Sequence, residues 1–458
     1  MLKGSFSPPL SVLADIPQCN SYPWLAVGRR RRLTRIGKGK LVDILSAQAD
    51  LCARCQGGNN AGHTIFTGKE CYQVHIVPSG VVTPGCDNLI GSGVVIHLPS
   101  FFSEIDVLET RGIDTKNRIF VSDRAHIVFD YHQEADRLRE RELGEHSIGT
   151  TGKGIGPAYS SKAERSGIRV HHLYAFGEFE RLLRQNVAWH ACRYGGSGAL
   201  VCDVEAELAR YRVTVAGQLG RAEQQGYAER LRPHVVDAVY FMQSAIRAEK
   251  RVLVEGANAL MLDIDYGTYP YVTSSNTSIG GVCTGLGLSP RRIEHIIGVV
   301  KAYTTRVGYG PFPTELKDEI GEHLQREGRE WGVTTGRRRR CGWLDLVLLR
   351  YSDWINGYSC LMVTKLDVLD GLSEIKIGVA YRNEGREVPY VSADLEMLKN
   401  VQVEYKTVPG WQKTTRGCKS FEELPKEAQA YIQFIEKFVN VKVAYVGVGP
   451  SRDDIIVR

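Results

Sequence analysis

No stretch of this chain approaches the ~18 consecutive apolar residues that a membrane-spanning helix requires, which sets aside an integral membrane helix. There is no secretory signal pattern, and the 11 cysteines are scattered and odd in number. A disulfide-stapled scaffold is therefore not expected; reduced thiols in a cytoplasmic setting are. Cys52 and Cys55 form a lone C-x-x-C. No second Cys/His pair follows at zinc spacing and no redox βαβ context surrounds it, so both are read as small strand residues. The standard phosphate loop G-x-x-x-x-G-K-[ST] is missing, as is any internal repeat with a period of 20 to 50 residues. Acidic residues are almost absent from the first 36 positions, Asp15 standing alone there.

What is present describes an ordinary globular protein. The 458 residues are 43% hydrophobic and 24% charged, enough for one large α/β domain with subdomains or for two domains. The net charge of +6 comes partly from arginine runs at 29–32 and 337–340. Mild basicity fits anionic small molecules as well as nucleic acid. Residues 41–49, 104–111, 132–143 and 203–212 read as helices, with 51–54, 91–98 and 251–255 as strands, and 293–303 carries apolar residues at helical spacing. Such alternation predicts a mostly parallel sheet with flanking helices. Residues 213–226, broken by Gly217, Gly220 and Gly226, read as a surface insertion before the helix resumes at Tyr227. The basic segment 1–36 is expected to be a disordered tail or a transit-like leader.

Several loops carry chemistry. Thr364-Lys365-Leu366-Asp367 follows a patchy apolar stretch. A carboxylate there can accept both N1–H and the exocyclic amine of guanine, a match adenine does not offer. The Lys365 stem can lie on the base while its ammonium stays in water; a strand ending in a charged turn is the plain alternative. Gly37-Lys38-Gly39-Lys40 opens into a helix, which suits an anion or is simply a basic turn. The string Gly57-Gly-Asn-Asn60-Ala61-Gly62-His63-Thr64 presents a histidine able to donate a proton, or a structural one, from a glycine-rich loop. Residues 149–157, with four glycines, two threonine hydroxyls and a lysine, suit a phosphate or ribose. In the segment 255–276, Asn258 can pair an amide edge and the hydroxyls from Thr273 to Ser275 can hold a phosphate, while Asp263 and Asp265 read as turn formers. The arginines 337–340 suit carboxylates and phosphates, and lack the interleaved aromatics of a nucleic-acid stripe.

Taken together, the strings at 57–64, 149–159, 255–276, 305–314, 334–345 and 364–371 resemble the adenylosuccinate synthetase family, in a eukaryotic, fungal-like form, from residue 37 to the end. The resemblance implies an α/β fold with phosphate-loop-like GTP-binding architecture over 37–458 and a cytoplasmic enzyme of AMP biosynthesis. It joins IMP and L-aspartate at the expense of GTP, through 6-phosphoryl-IMP, with one Mg²⁺ per subunit. By resemblance His63 and Lys38 are catalytic, His63 donating toward O6 and Lys38 sitting on the phosphates. IMP would meet Gly37, Lys38, Asn60, Ala61, Gly62, His63, Thr151, Asn258, Thr273 and Arg337, with Arg165 reaching the neighbouring site of a homodimer. The aspartate loop would comprise Val333, Thr334, Thr335, Gly336, Arg337, Arg338 and Arg339. GTP would meet Gly37, Lys38, Gly39, Lys40, Gly62, His63, Thr64 and Arg339, with Lys365, Leu366, Asp367, Gly447, Val448 and Gly449 around guanine. The Gly62 carbonyl would ligate Mg²⁺. Neither nucleic acid nor membrane is an expected partner.

One departure is marked. Arg35 stands where the family has the aspartate that takes the N1 proton and ligates Mg²⁺, and 29–32 is arginine where a central strand should run. Residues 22–27 are the expected substitute strand, and the text before residue 37 is expected to be misread or alternative coding sequence. A catalytically impaired GTP- and IMP-binding homologue is the alternative that Arg35 raises.

Overall fold

The computed structural model describes residues 10–15, 41, 44–60, 62–67, 70–194, 202–212, 226–332, 336–450 and 452–458. An eleven-stranded sheet forms its centre. From one edge its path runs Ile455–Val457, Val443–Gly447, Cys360–Thr364, Ile293–Lys301, Leu10–Asp15, Val252–Glu255, Leu51–Gly57, Asp87–Ile96, Ile119–Ser122 and Val235–Val236, with His126–Ile127 also pairing the Asp87 strand. Every pairing in it is parallel except that of the Ile455 edge strand.

Parallel strands buried on both faces should be mostly apolar, and Val252–Glu255 shows why. Within Val252–Glu255, Val252 and Val254 pack on one side with Ala53, Met242 and Ile246, while Leu253 packs on the other with Leu41, Leu45 and Val299. Helices Leu98–Thr110, Asp130–Leu143 and Phe176–Tyr194 share a core with Ile90, Val94 and Ile96. Helices Leu346–Asn356 and Lys426–Val439 share another with Leu361, Val363 and Val446. Among the described residues no helix is long and apolar enough to cross a membrane, and Cys52 and Cys55 are buried residues of a strand, as expected.

Two expectations are corrected. Residues 293–301 are a strand rather than a helix, because 297–301 are buried without interruption between two parallel neighbours. A helix would turn part of that run to solvent. The missing central strand is supplied by Leu10–Asp15, inside the segment expected to be disordered, with Val12 facing Val254 on one side and Ile296 on the other. Its sequence, Leu-Ser-Val-Leu-Ala-Asp, carries no charge before its last residue, unlike the arginine run. The proposed substitute at 22–27 and the insertion 213–225 lie outside the described residues.

Beneath this sheet His126, His132 and His190 are buried, and desolvation lowers the pKa of each, that of His126 to about 3. His132 Nδ1 accepts the Phe129 amide at 3.0 Å. Unfolded, these rings would titrate near 6.5. The unfolded chain therefore binds more protons as the pH falls below that value, and stability drops from about pH 6.5 toward the depressed folded values. We expect the melting temperature to fall through that window. His132→Asn, which keeps an acceptor for the cap, should flatten the slope; an unchanged slope would contradict this account.

Candidate functional site

In a parallel sheet the carboxyl ends of the strands lie on one edge, where crevices form at crossovers. Gly57, Glu255, Thr364 and Gly447 end four such strands here, and the recognised loops leave from them.

The first group of loops is packed face to face. Gly57 has φ +83°, and a Cβ there would sit 2.9 Å from the Ala257 Cβ; one on Gly58 would sit 2.5 Å from Ile155. Tyr159 Oη accepts the Gly57 amide at 2.9 Å and donates to the Gly93 carbonyl at 2.7 Å. Thus 57–60, 149–159 and 255–259 touch. Helix Ile155–Glu164 begins beside Ser274, whose hydroxyl would be 3.2 Å from a Cβ on Gly156. A helix N-terminus beside a hydroxyl-rich turn favours an anion. The preceding loop is held from below: Glu140 accepts the amides of Ile148, Gly149 and Thr150, and Asp136 accepts that of Gly154 at 3.0 Å. Arg337 Nη1 reaches the Gly149 carbonyl at 3.2 Å, bringing the aspartate-loop candidates to this group. Asn258 takes φ +67° directly after the strand-end turn, Thr273 is tied to the Leu262 carbonyl at 2.8 Å, and Arg165 is exposed at the helix end. Asp263 accepts four backbone amides and is a structural turn former, as read from the sequence.

The second group surrounds Lys365, which has φ +60° after Thr364. Gly447 lies against Thr364 and Lys365, and the Val448 amide is held by Asp454. Leu366 is buried. Asp367 accepts Arg416 Nε at 3.1 Å and lines a cavity of about 320 Å³ with His323, Asp370, Gly371 and Thr414. Asp370 fixes the far wall by accepting Trp411 Nε1 at 2.9 Å and the Thr415 amide at 2.8 Å. One expectation fails: the Lys365 ammonium is not in water but buried against Glu330 Oε1 at 2.5 Å and the Gly328 carbonyl at 2.6 Å. A fully buried carboxylate is the stronger partner there. Burial pulls the Glu330 carboxyl upward, but Lys301, Lys365 and Arg339 outweigh it and hold it well below the usual range.

The arginine run is distributed rather than striped. Arg337 goes to Gly149, Arg338 to Gln325 at 3.0 Å, Arg339 to Glu330 at 2.9 Å and Arg340 to Glu315 at 2.6 Å. Two of the four acceptors, Glu330 and Glu315, are carboxylates. The Gly336 amide bonds the Gly332 carbonyl, folding the loop back on itself. His63 and Thr64 begin the hairpin strand His63–Thr67, paired with Val74 and Gln73, and Gly62 precedes them. Arg35, Gly37, Lys38, Gly39, Lys40, Ala61, Val333, Thr334 and Thr335 lie outside the described residues. Among the described residues no three His, Cys, Asp or Glu side chains are grouped to hold a metal ion.

Residues not singled out from the sequence matter as much. Arg54, fully buried in an otherwise small and apolar strand, donates to the carbonyls of Gln56, His75 and Gly58, the last at 2.7 Å. A lone charge in that strand was the available signal. Arg54→Met would leave two buried carbonyls and one part-buried carbonyl short of donors, the buried ones at about 1–3 kcal/mol each. We expect at least about 3 kcal/mol lost in urea denaturation; a loss below about 1 kcal/mol would contradict this role.

A family model described as adenylosuccinate synthetase matches residues 36–456. Adenylosuccinate synthetase of Schizosaccharomyces pombe is 60% identical over 422 residues, covering 92% of this chain and 94% of that protein. The Candida albicans protein of the same name is 57% identical over 427 residues, covering 92% and 96%. The solved structure of fully ligated adenylosuccinate synthetase from Plasmodium falciparum superposes with a TM-score of 0.85 at 40% identity, covering 92% of this chain and 96% of that one. None of these lends support to the catalytically impaired alternative raised by Arg35. The chain belongs to the adenylosuccinate synthetase family, GTP-hydrolysing ligases that make adenylosuccinate from IMP and aspartate on the way to AMP.

Proposed function

We propose that the first group of loops holds IMP and the second holds GTP, with the arginine loop between them taking L-aspartate. The observation that carries this reading is the packing of 57–60 against 149–159 and 255–259, with Arg337 joining it to the loop that ends beside Lys365. IMP would lie against Asn60, Ala61, Gly62, His63, Thr151, Asn258, Thr273 and Arg337, and Gly37 and Lys38 would meet it at the transferring phosphate. Val333 to Arg339 would close on aspartate. Guanine would be read by Lys365, Leu366 and Asp367, flanked by Gly447, Val448 and Gly449, with Gly39, Lys40, Thr64 and Arg339 on the rest of GTP.

The O6 of IMP is an amide-like oxygen and a poor leaving group. The γ-phosphoryl of GTP is first transferred to O6 as the N1 proton is given up to solvent, releasing GDP; the aspartate amine then attacks C6, loses a proton and expels phosphate. His63 donates toward O6 as negative charge develops there, and Lys38 neutralises the moving phosphoryl. The described residues do not by themselves form a metal site. Mg²⁺ would come with the nucleotide phosphates, which supply most of its oxygens, and the Gly62 carbonyl is the protein ligand we assign. Arg165, exposed at the end of its helix, would reach IMP in the second subunit of a homodimer, so Arg165→Ala should raise the IMP KM while leaving the GTP KM unchanged.

The direct test is phosphate release measured with IMP, aspartate and GTP together and with each omitted. Release should require all three. Equal turnover with ATP, or release without aspartate, would overturn the reading.

A further inference from the structure

Glu330 belongs to none of the groups assigned above to a substrate, yet it touches two of them. Its carboxylate is fully buried and meets Lys365 Nζ at 2.5 Å, Lys301 Nζ at 2.8 Å, Arg339 Nη1 at 2.9 Å and Tyr303 Oη at 2.7 Å. Its main-chain carbonyl accepts the Arg339 amide at 2.9 Å and Gln325 Nε2 at 3.1 Å. One residue thus clips both ends of the loop 331–339 and also holds the lysine at the head of the guanine turn.

A buried ion pair that served packing alone would be neutral and saturated, since unbalanced buried charge is costly. This cluster is neither. Three basic side chains face one carboxylate, and although burial lowers the pKa of Lys301 to about 7, Lys365 and Arg339 alone outnumber that carboxylate; Arg339 Nε is buried without a hydrogen-bond partner. The surplus positive charge and the spare donor lie at the base of the loop assigned to an amino-acid carboxylate. Because Lys365 and Arg339 share one counter-charge in a water-poor site, a ligand that draws on either changes how firmly Glu330 holds the other.

We propose that Glu330 is a positioning residue that makes the grip on aspartate depend on guanine-nucleotide occupancy, by tying Lys365 and Arg339 to one buried carboxylate. The inference rests on the assignment of guanine to Lys365–Asp367 and of aspartate to the loop ending at Arg339. Binding linkage makes the effect reciprocal: the factor by which GTP changes aspartate affinity is the factor by which aspartate changes GTP affinity.

The test uses the full chain in steady-state kinetics, each substrate varied in turn with the other two saturating. Glu330→Gln keeps the shape and removes the charge. We expect the aspartate KM to rise at least tenfold and the GTP KM to rise with it, while the IMP KM stays within twofold. Glu330→Asp should recover part of the loss. Lys365→Gln, measured at saturating GTP, should raise the aspartate KM at least fivefold although Lys365 is assigned to guanine alone. Should Glu330→Gln not fold, the Lys365→Gln measurement decides by itself. An aspartate KM unmoved in Lys365→Gln at saturating GTP, or aspartate, GTP and IMP constants rising in parallel in Glu330→Gln, would overturn the proposal. Absence of GTP- and aspartate-dependent turnover in the unaltered chain would instead overturn the site assignment on which it rests.

Discussion

Replacing His63 by Ala is expected to lower kcat about 10²- to 10⁴-fold, the usual contribution of one positioned proton donor. The IMP KM should change only a few-fold, because Asn258, Thr273 and Arg337 would still hold the nucleotide. The expectation has a structural basis in how the loop is anchored. Upstream, Gly57 is locked to Tyr159 and Gly58 to Arg54. Downstream, His63 is the first residue of a hairpin strand pinned by fully buried Ile65 opposite Tyr72. With the backbone held on both sides of the loop, the effect should fall on kcat. A kcat within threefold of the unaltered chain would remove His63 from the chemistry.

The second large effect is a change of nucleotide. Asp367→Asn exchanges an acceptor pair for one acceptor and one donor. Guanine then presents its exocyclic amine to an amide N–H₂, while xanthine presents a carbonyl that this group can satisfy. A charge-assisted hydrogen bond contributes about 1.5–3 kcal/mol, so kcat/KM for GTP should fall about 10- to 150-fold. Use of XTP should rise. Arg416, which shares the Asp367 carboxylate, would lose its counter-charge and loosen the wall of the cavity. GTP preference unchanged in this variant would move base recognition elsewhere.

How much of this was legible beforehand varies with the physics involved. The loop strings at 57–64, 149–159 and 255–276 could be read because glycines at strand ends, hydroxyls and a histidine announce ligand contact locally. Their mutual packing depends on the order of strands in the sheet, which no local pattern carries. The stretch 293–301 was misjudged as helical because its apolar spacing suits both periods; burial between two neighbours decides for strand. The arginines 337–340 read as carboxylate and phosphate binders, yet each meets its own acceptor within the protein, partners that no local pattern announces. Lys365 was expected to lay its stem on the base and keep its ammonium in water; its actual partner, Glu330, arrives from 35 residues away. Arg54 and Glu330 were passed over because a single charge gains meaning only from partners distant in the chain.

The placement of Leu10–Asp15 has a consequence for how this protein is made. Its two neighbours, from Val252 and from Ile293 onward, are translated long after it leaves the ribosome. At about 5–20 residues per second the nascent strand waits on the order of ten seconds or more with both edges unpaired. Through that interval it is an apolar template open to any passing chain. Chaperone demand during synthesis should therefore concentrate on the opening residues.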